Sequence, residues 1–341
     1  MSMLAKGGLG VWFPAIKTGT GVDTFTKMLC DGLSARGVRA EIHWIPHAAE
    51  FFPWRIKTPA IPPWVNVVHV NTWLHHRFVP SQTLPVVATS HLCVHDPALK
   101  EYKSMAQSLY HRLWIKSLEA AWMSRASRVV AVSDYTALKT KEAFNIESVL
   151  TIRNGVPESF GRSGLKKIRN KPLKLLFVGT WARRKGVDML FPIMRELRGY
   201  AELFIVSDSV DKSNMPGNCF FLGRLDHDEV LCKYSEMDFL LFPSRLEGLP
   251  IVAAEAMING VPVIASNTSS LPEIVGNSDG VLCQKDNVSD FVSKLKKLSL
   301  EDGDAYVLRS DNSRKKIREN FTLDKMVSSY IRCYEELLFR G

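Results

Sequence analysis

"DFLLFPSRLEGLPIVAAEAMINGVPVIAS", residues 238–266, places two short apolar runs on either side of a tight Gly-Leu-Pro turn and an apolar helix. Residues 238–244 have the length and aromatic content of a buried strand. Pro250 suits the first turn of a helix and Gly260 its end, and "VPVIAS" (261–266) is a second buried run. Strand, helix and strand in this order make the repeating unit of a parallel sheet.

The same alternation continues in both directions. Upstream of it, "LKLLFVG" (173–179), "AELFIVS" (201–207) and "CFFLG" (219–223) read as strands. A first series contains "LGVWF" (9–13), "AEIHWI" (40–45), "VNVVHV" (65–70), "LPVVATS" (84–90), "RVVAVS" (128–133) and "VLTIRN" (149–154), all read as buried strands. Between the first two, Val22, Phe25, Leu29 and Leu33 recur at helical spacing and Gly37 closes the helix. The polar stretch 161–172 separates the series and reads as a linker. The expected fold is α/β, with a front domain over 1–160 and a second domain over 173–320. A C-terminal helix over 321–341 should pack back toward the front domain. From about residue 287 onward the pattern is helical.

At 341 residues, with 46% hydrophobic and 23% charged side chains, the chain has the composition of a globular protein and is long for a single core. No apolar stretch suggests a spanning helix, and the start of the sequence lacks a charged-then-apolar leader pattern. The six cysteines form no CxxC pair and no zinc spacing, so they read as reduced core thiols of a cytoplasmic protein. The net charge of +9 is unevenly shared. Residues 1–165 hold 18 Lys and Arg against 11 Asp and Glu, or +7, which leaves +2 for the rest. A basic front half suits an anionic acceptor or the inner face of an anionic membrane, with ordinary solubilising surface charge as the alternative. No basic helix, RNP-type strand or zinc spacing supports nucleic-acid binding.

Glu247 and Glu255 lie eight positions apart across the turn. In parallel sheets ligands gather beyond the carboxyl ends of the strands, where helix N-termini favour anions. Two carboxylates would repel a phosphate unless each accepts from neutral hydroxyls on either side of it. A nucleotide-sugar has that layout. Glu247 can accept from the sugar and Glu255 from the ribose, while backbone N–H groups of Gly248, Leu249 and the residues after Pro250 meet the diphosphate. "ARRKG" (182–186) follows the strand 173–179 and brings Arg183, Arg184 and Lys185 to the same end of the sheet. Cations there can neutralise a departing diphosphate. "DHD" (226–228) imitates a metal-binding DxD, but Asp226 and Glu229 also match a capping box.

The spacing E-x7-E, followed by "AMINGVPVIAS" and "LPEIV" (271–275), resembles the donor domain of the retaining GT-B glycosyltransferases of family 4, the glycosyl transferases group 1. Further motifs are similar in order over most of the chain: "KTGTGVDTFTKML", "VVATSH", "RVVAVSDY", "TIRNGVPESF" and "LLFVGTWARRKGVDML". The resemblance implies two doubly wound Rossmann-like domains facing a cleft. It also implies a retaining, metal-independent transfer from a nucleoside diphosphate-sugar to a glycan or lipid-linked acceptor, with no cofactor and a role in surface polysaccharide synthesis. His91, at the end of "VVATSH", then lies near the sugar, with His95 as a competitor. Gly19, Thr20 and Gly21 form the family's glycine-rich first loop, expected to approach the pyrophosphate. His91, Glu247, Arg184 and Lys185 are the catalytic candidates. An epimerase or hydrolase acting on the nucleotide-sugar alone is the alternative.

Two segments of the front half suit an acceptor lipid or membrane: the aromatic, proline-rich loop 50–64 and the helical stretch 102–122. Against this, the loop can fold onto its own domain, and the helix's aromatic residues can be core.

Overall fold

The computed structural model describes residues 8–80, 83–161 and 171–339. Its contacts divide the chain into two units, Met1–Gly155 with Leu323–Gly341, and Val156–Thr322. The boundary falls at Gly155 rather than at residue 160, because the turn that ends at Gly161 packs on the second unit: a Cβ at Gly161 would meet the Ile258 carbonyl oxygen at 2.9 Å. The expected linker, 161–172, lies outside the described residues except for its ends.

The first unit holds six parallel strands, β1 (Gly10–Ile16), β2 (Arg39–Ile45), β3 (Val67–Asn71), β4 (Val86–Ser90), β5 (Arg128–Ala131) and β6 (Leu150–Thr151), in the order β2-β1-β3-β4-β5-β6. The second holds β7 (Leu173–Val178), β8 (Ala201–Val206), β9 (Cys219–Gly223), β10 (Phe239–Phe242), β11 (Val263–Ser266) and β12 (Gly280–Cys283), ordered β12-β11-β10-β7-β8-β9 and also parallel. In each sheet the chain winds outward from the first strand and then returns to its other side. That reversal lies between β1 and β3 in one sheet and between β7 and β10 in the other, which is where doubly wound folds form a crevice.

Three strand expectations differ. β2 is an edge strand with only Ile45 buried, so its alternating residues face outward. β6 is two residues long where six were expected. β12 was not anticipated: four residues behind the polar "GNSD" carry too little pattern to read alone. Five cysteines are buried as expected, whereas Cys232 is exposed on the helix His227–Tyr234.

The helix Leu323–Phe339 belongs to the first unit, where it buries Met326, Val327, Tyr330, Cys333 and Tyr334. Gly32 permits this approach, since a Cβ there would meet Val327 at 2.5 Å. The buried ring of His69 bonds Tyr334 through Nδ1 at 2.6 Å and Thr89 through Nε2 at 2.8 Å, and Tyr330 adds a 3.2 Å bond to Thr89. Burial, followed by the nearby His91, lowers the His69 pKa to about 3, so this network stays uncharged at neutral pH. No helix among the described residues is long and apolar enough to cross a membrane.

Candidate functional site

At the reversal of the second sheet, the loops leaving β7 and β10 meet. Arg183–Lys185 form a single 3-10 turn that ends in Gly186 at φ +71°. A Cβ on Gly186 would lie 2.1 Å from the Pro243 carbonyl oxygen, so glycine both sets the turn and admits the β10 exit against it. Arg245 then clamps the turn. Its N–H donates to the Arg184 carbonyl at 2.9 Å, and its guanidinium donates to the Arg183 carbonyl at 2.5 Å, to Asp188 at 2.5 and 2.9 Å, and to Asp286 at 2.5 Å.

The clamp delivers both expected cations to Glu247. Lys185 Nζ lies 2.6 Å from Glu247 Oε1, which also accepts from Ser244 Oγ at 2.7 Å, and Arg184 lies 3.5 Å from Oε2. Arg184 also donates to the Leu246 carbonyl at 2.6 Å. The loop after β11 completes the support, with Ser269 accepting from the Glu247 N–H at 3.1 Å and Ser270 donating to its carbonyl at 3.1 Å. Glu247 is buried. Burial alone would raise its pKa, but Lys185 and Arg184 together outweigh burial and hold the carboxyl below its usual range. Burial in turn lowers the pKa of the Lys185 ammonium, against the opposing pull of Glu247. Sequence reasoning gave the carboxylate and the cations to different parts of a ligand, whereas the structure brings them together as one bonded group. Arg183 is exposed, as a solvated charge should be.

Gly248, Leu249 and Pro250 form the turn into the helix Ile251–Ile258, which begins without a side-chain cap. Glu255 is buried in that helix, and its Oε1 is 2.8 Å from His227 Nε2. Asp226 and Glu229 form the expected capping box of the helix His227–Tyr234, leaving His227 at its first position. The Phe160 ring packs edge-on to His227 at 5.0 Å. The bond to Glu255 raises the His227 pKa above its ordinary value, against burial, with Asp228 and Asp226 adding to the rise. A raised histidine pKa adds stability that is complete below the unfolded value and disappears as pH rises through the folded value. Wild type should thus melt above His227→Gln at mildly acidic pH, with the gap closing toward alkaline pH. A gap independent of pH would show that the pair is not charged.

In the first unit His91 follows β4, with Nε2 bonded to Asn71 Oδ1 at 2.7 Å and Phe25 edge-on at 4.6 Å. Nδ1 is left as the acceptor nitrogen. His91 keeps some open surface, yet its surroundings desolvate it enough to lower its pKa to about 4, so it is neutral at physiological pH. His95 is bonded to buried Glu119 at 2.8 Å, and Glu119 is fixed in turn by Thr72 at 2.9 Å. That ties the half-buried His95 ring into a bonded group with Glu119 and Thr72.

The Gly19–Gly21 loop differs from expectation in one respect. Asp23 accepts from the N–H groups of Thr18 at 3.0 Å and Gly19 at 2.7 Å, while Thr20 caps the helix Gly21–Ala35. The negative charge this loop was expected to receive is already supplied by Asp23, and a carboxylate there opposes a pyrophosphate. Arg245, His227 and Asp23 were not singled out from the sequence. The dipeptide "SR" before Glu247 was the available signal for Arg245, and the histidine inside "DHD" for His227. Among the described residues no three His, Cys, Asp or Glu side chains are placed to hold a metal ion.

Residues 164–322 match the family model of the glycosyl transferases group 1, and residues 51–160 match that of Glycosyltransferase Family 4. Residues 164–322 thus belong with the group 1 glycosyltransferases, and the chain's two Rossmann-like units have the GT-B architecture. It is 32% identical over 178 residues to an uncharacterised 41.2 kDa protein of the cps region of Klebsiella pneumoniae, covering 50% of this chain and 48% of that one. The chain thus spans about half the length of the first curated relatives it matches. Sucrose-phosphate synthase from Thermosynechococcus elongatus superposes with a TM-score of 0.80 at 16% identity, over 98% of this chain and 100% of that one. HepE from Anabaena, solved with UDP and glucose, has a TM-score of 0.72 at 13% identity over 96% and 100%. At these identities the structural likeness speaks for the fold.

Proposed function

We propose that the protein is a retaining glycosyltransferase that moves a sugar from a nucleoside diphosphate to a hydroxyl of a glycan or lipid-linked acceptor in surface polysaccharide synthesis. The observation that carries this reading is the Arg184–Lys185–Glu247 cluster at the reversal point of the second sheet, where the fold gathers ligands. Arg184 and Lys185 meet the diphosphate and stabilise its charge as the bond to the sugar breaks. In this reading those two cations handle the leaving group without a metal ion. Glu247 holds Lys185 in place and accepts from a sugar hydroxyl. Glu255 accepts from the ribose, and backbone N–H groups around Gly248, Leu249 and Pro250 take the phosphates between. His91, neutral and with Nδ1 as acceptor, suits a hydrogen bond from a hydroxyl better than donation of a proton. HepE, crystallised with UDP and glucose, makes uridine nucleotides the first donors to try.

UDP-, GDP- and ADP-sugars should be screened by thermal stabilisation, and the best donor incubated with candidate acceptors while the product's anomeric configuration is read by NMR. Retention is expected, and an inverted product would refute it. Donor turnover that is equally fast without any acceptor would instead identify a hydrolase or epimerase. Glu255→Gln should weaken nucleotide binding by about ten- to a hundredfold, the effect of losing one hydrogen bond to a charged group. Titration calorimetry measures this directly, and unchanged affinity would remove Glu255 from the donor site.

A further inference from the structure

The helical stretch after β4 exposes an apolar stripe that the described residues of its own unit leave uncovered. Met105, Leu109 and Leu113 are four residues apart, share one face, and are 91%, 58% and 64% exposed. The opposite face, Ile115, Leu118 and Trp122, is buried. Between the two faces, Tyr110 and Trp114 rest on the loop after β2: Tyr110 Oη donates to Glu50 Oε1 at 3.0 Å and Trp114 Nε1 to the Glu50 carbonyl at 2.9 Å. That loop extends the surface with exposed Phe51, Phe52 and Trp54; the Phe51 ring meets Tyr110 at 5.6 Å and the Trp54 ring meets Trp114 at 6.4 Å. Trp64, by contrast, packs with the core under Arg39.

The charge around the stripe is predominantly positive, with Glu101 the exposed carboxylate that precedes it in sequence. Arg55, Lys57, Arg112 and Lys116 are exposed, and residues 102–118 contain no Asp or Glu. Glu50 is buried and bonded. Exposed aliphatic and aromatic side chains bordered by Lys and Arg match the interface of an anionic bilayer. A second copy would bring like charges together. Both segments also start at the carboxyl end of the first sheet, the end that His91 occupies.

We propose that this surface, Phe51–Trp54 with Met105, Leu109 and Leu113, docks the protein on an anionic lipid bilayer. The surface stands on exposure and charge; that it brings a lipid-linked acceptor to the transferase rests on the function proposed above. The full chain should cosediment with vesicles of phosphatidylcholine and phosphatidylglycerol, more weakly with phosphatidylcholine alone, and less as salt rises. Leu109→Ser with Leu113→Ser should weaken that binding at least about tenfold, and Arg112→Gln with Lys116→Gln about thirtyfold. Both changes are at exposed positions, so melting temperature and stabilisation by the nucleotide-sugar should stay as in wild type. Failure of wild type to bind vesicles, binding indifferent to both double variants, or a concentration-dependent dimer abolished by Leu109→Ser with Leu113→Ser would each overturn the proposal. Vesicle binding by a protein that no nucleotide-sugar stabilises would leave the surface intact and refute the donor reading instead.

Discussion

Lys185→Ala is expected to lower turnover by about two to three orders of magnitude, the effect of removing one preorganised donor from a developing negative charge. The ammonium is 2.6 Å from Glu247 Oε1, in a pair too buried for its loss to be neutral. Breaking a buried pair by removing one partner costs about 3–5 kcal/mol, and the remaining contact with Arg184 places this case toward the lower end. The two effects are separable. Lys185→Ala with Glu247→Gln removes the stranded charge and should recover most of the melting temperature, while turnover stays low. Turnover that recovers with stability would make Lys185 a structural partner of Glu247 rather than a partner of the diphosphate. Because the cations hold the Glu247 carboxyl below its usual range, its contribution is complete above the ordinary carboxylate pKa. It is lost only as pH falls through the lower folded value.

Gly186→Ala is expected to cost more stability than the size of a methyl group suggests. A left-handed backbone at φ +71° strains any other residue by about 1–3 kcal/mol. The new Cβ would also lie 2.1 Å from a backbone oxygen that no rotamer change can move aside, which adds about 1–3 kcal/mol of overpacking. Gly199 supplies the control, with φ +82° and nothing within 4 Å of where a Cβ would stand. If Gly186→Ala melts no lower than Gly199→Ala, the close approach to Pro243 is not a constraint. If it does melt lower, nucleotide affinity should fall with it, since relieving the contact moves Arg184 and Lys185 off the β10 exit.

What could be read from the sequence was whatever depends on short-range pattern. The strand before Glu247, the Pro250 helix start and the capping box at Asp226 all lie within a few residues of the signals that mark them. The pairing of Glu247 with Lys185 joins residues 62 positions apart. Each was legible as a candidate, but the bond between them depends on where the sheet reverses. Arg245 was passed over because a lone arginine in a loop looks solvated until Asp188 and Asp286 are brought to it. The stretch 102–122 was ambiguous for a different reason. Tyr110 and Trp114 look like core residues and are half-buried against the loop after β2, whereas Met105, Leu109 and Leu113 carry an equally apolar signature on a face that no described residue of their unit covers. Hydrophobic spacing identifies a face; it does not say what lies against it.

The return of the last helix to the first unit also sets an order of completion during synthesis. Val156–Thr322 is one unbroken run, so every contact within the second unit can close as soon as Thr322 is made. The first unit is begun earlier and finished later. Its sheet is synthesised by Thr151, yet His69 remains without the Tyr334 hydroxyl until the second unit has also been made. Until then Phe25, His69 and Thr89 lie where Tyr330 and Tyr334 will eventually cover them. Of the two units, the one that emerges earlier is the one that waits.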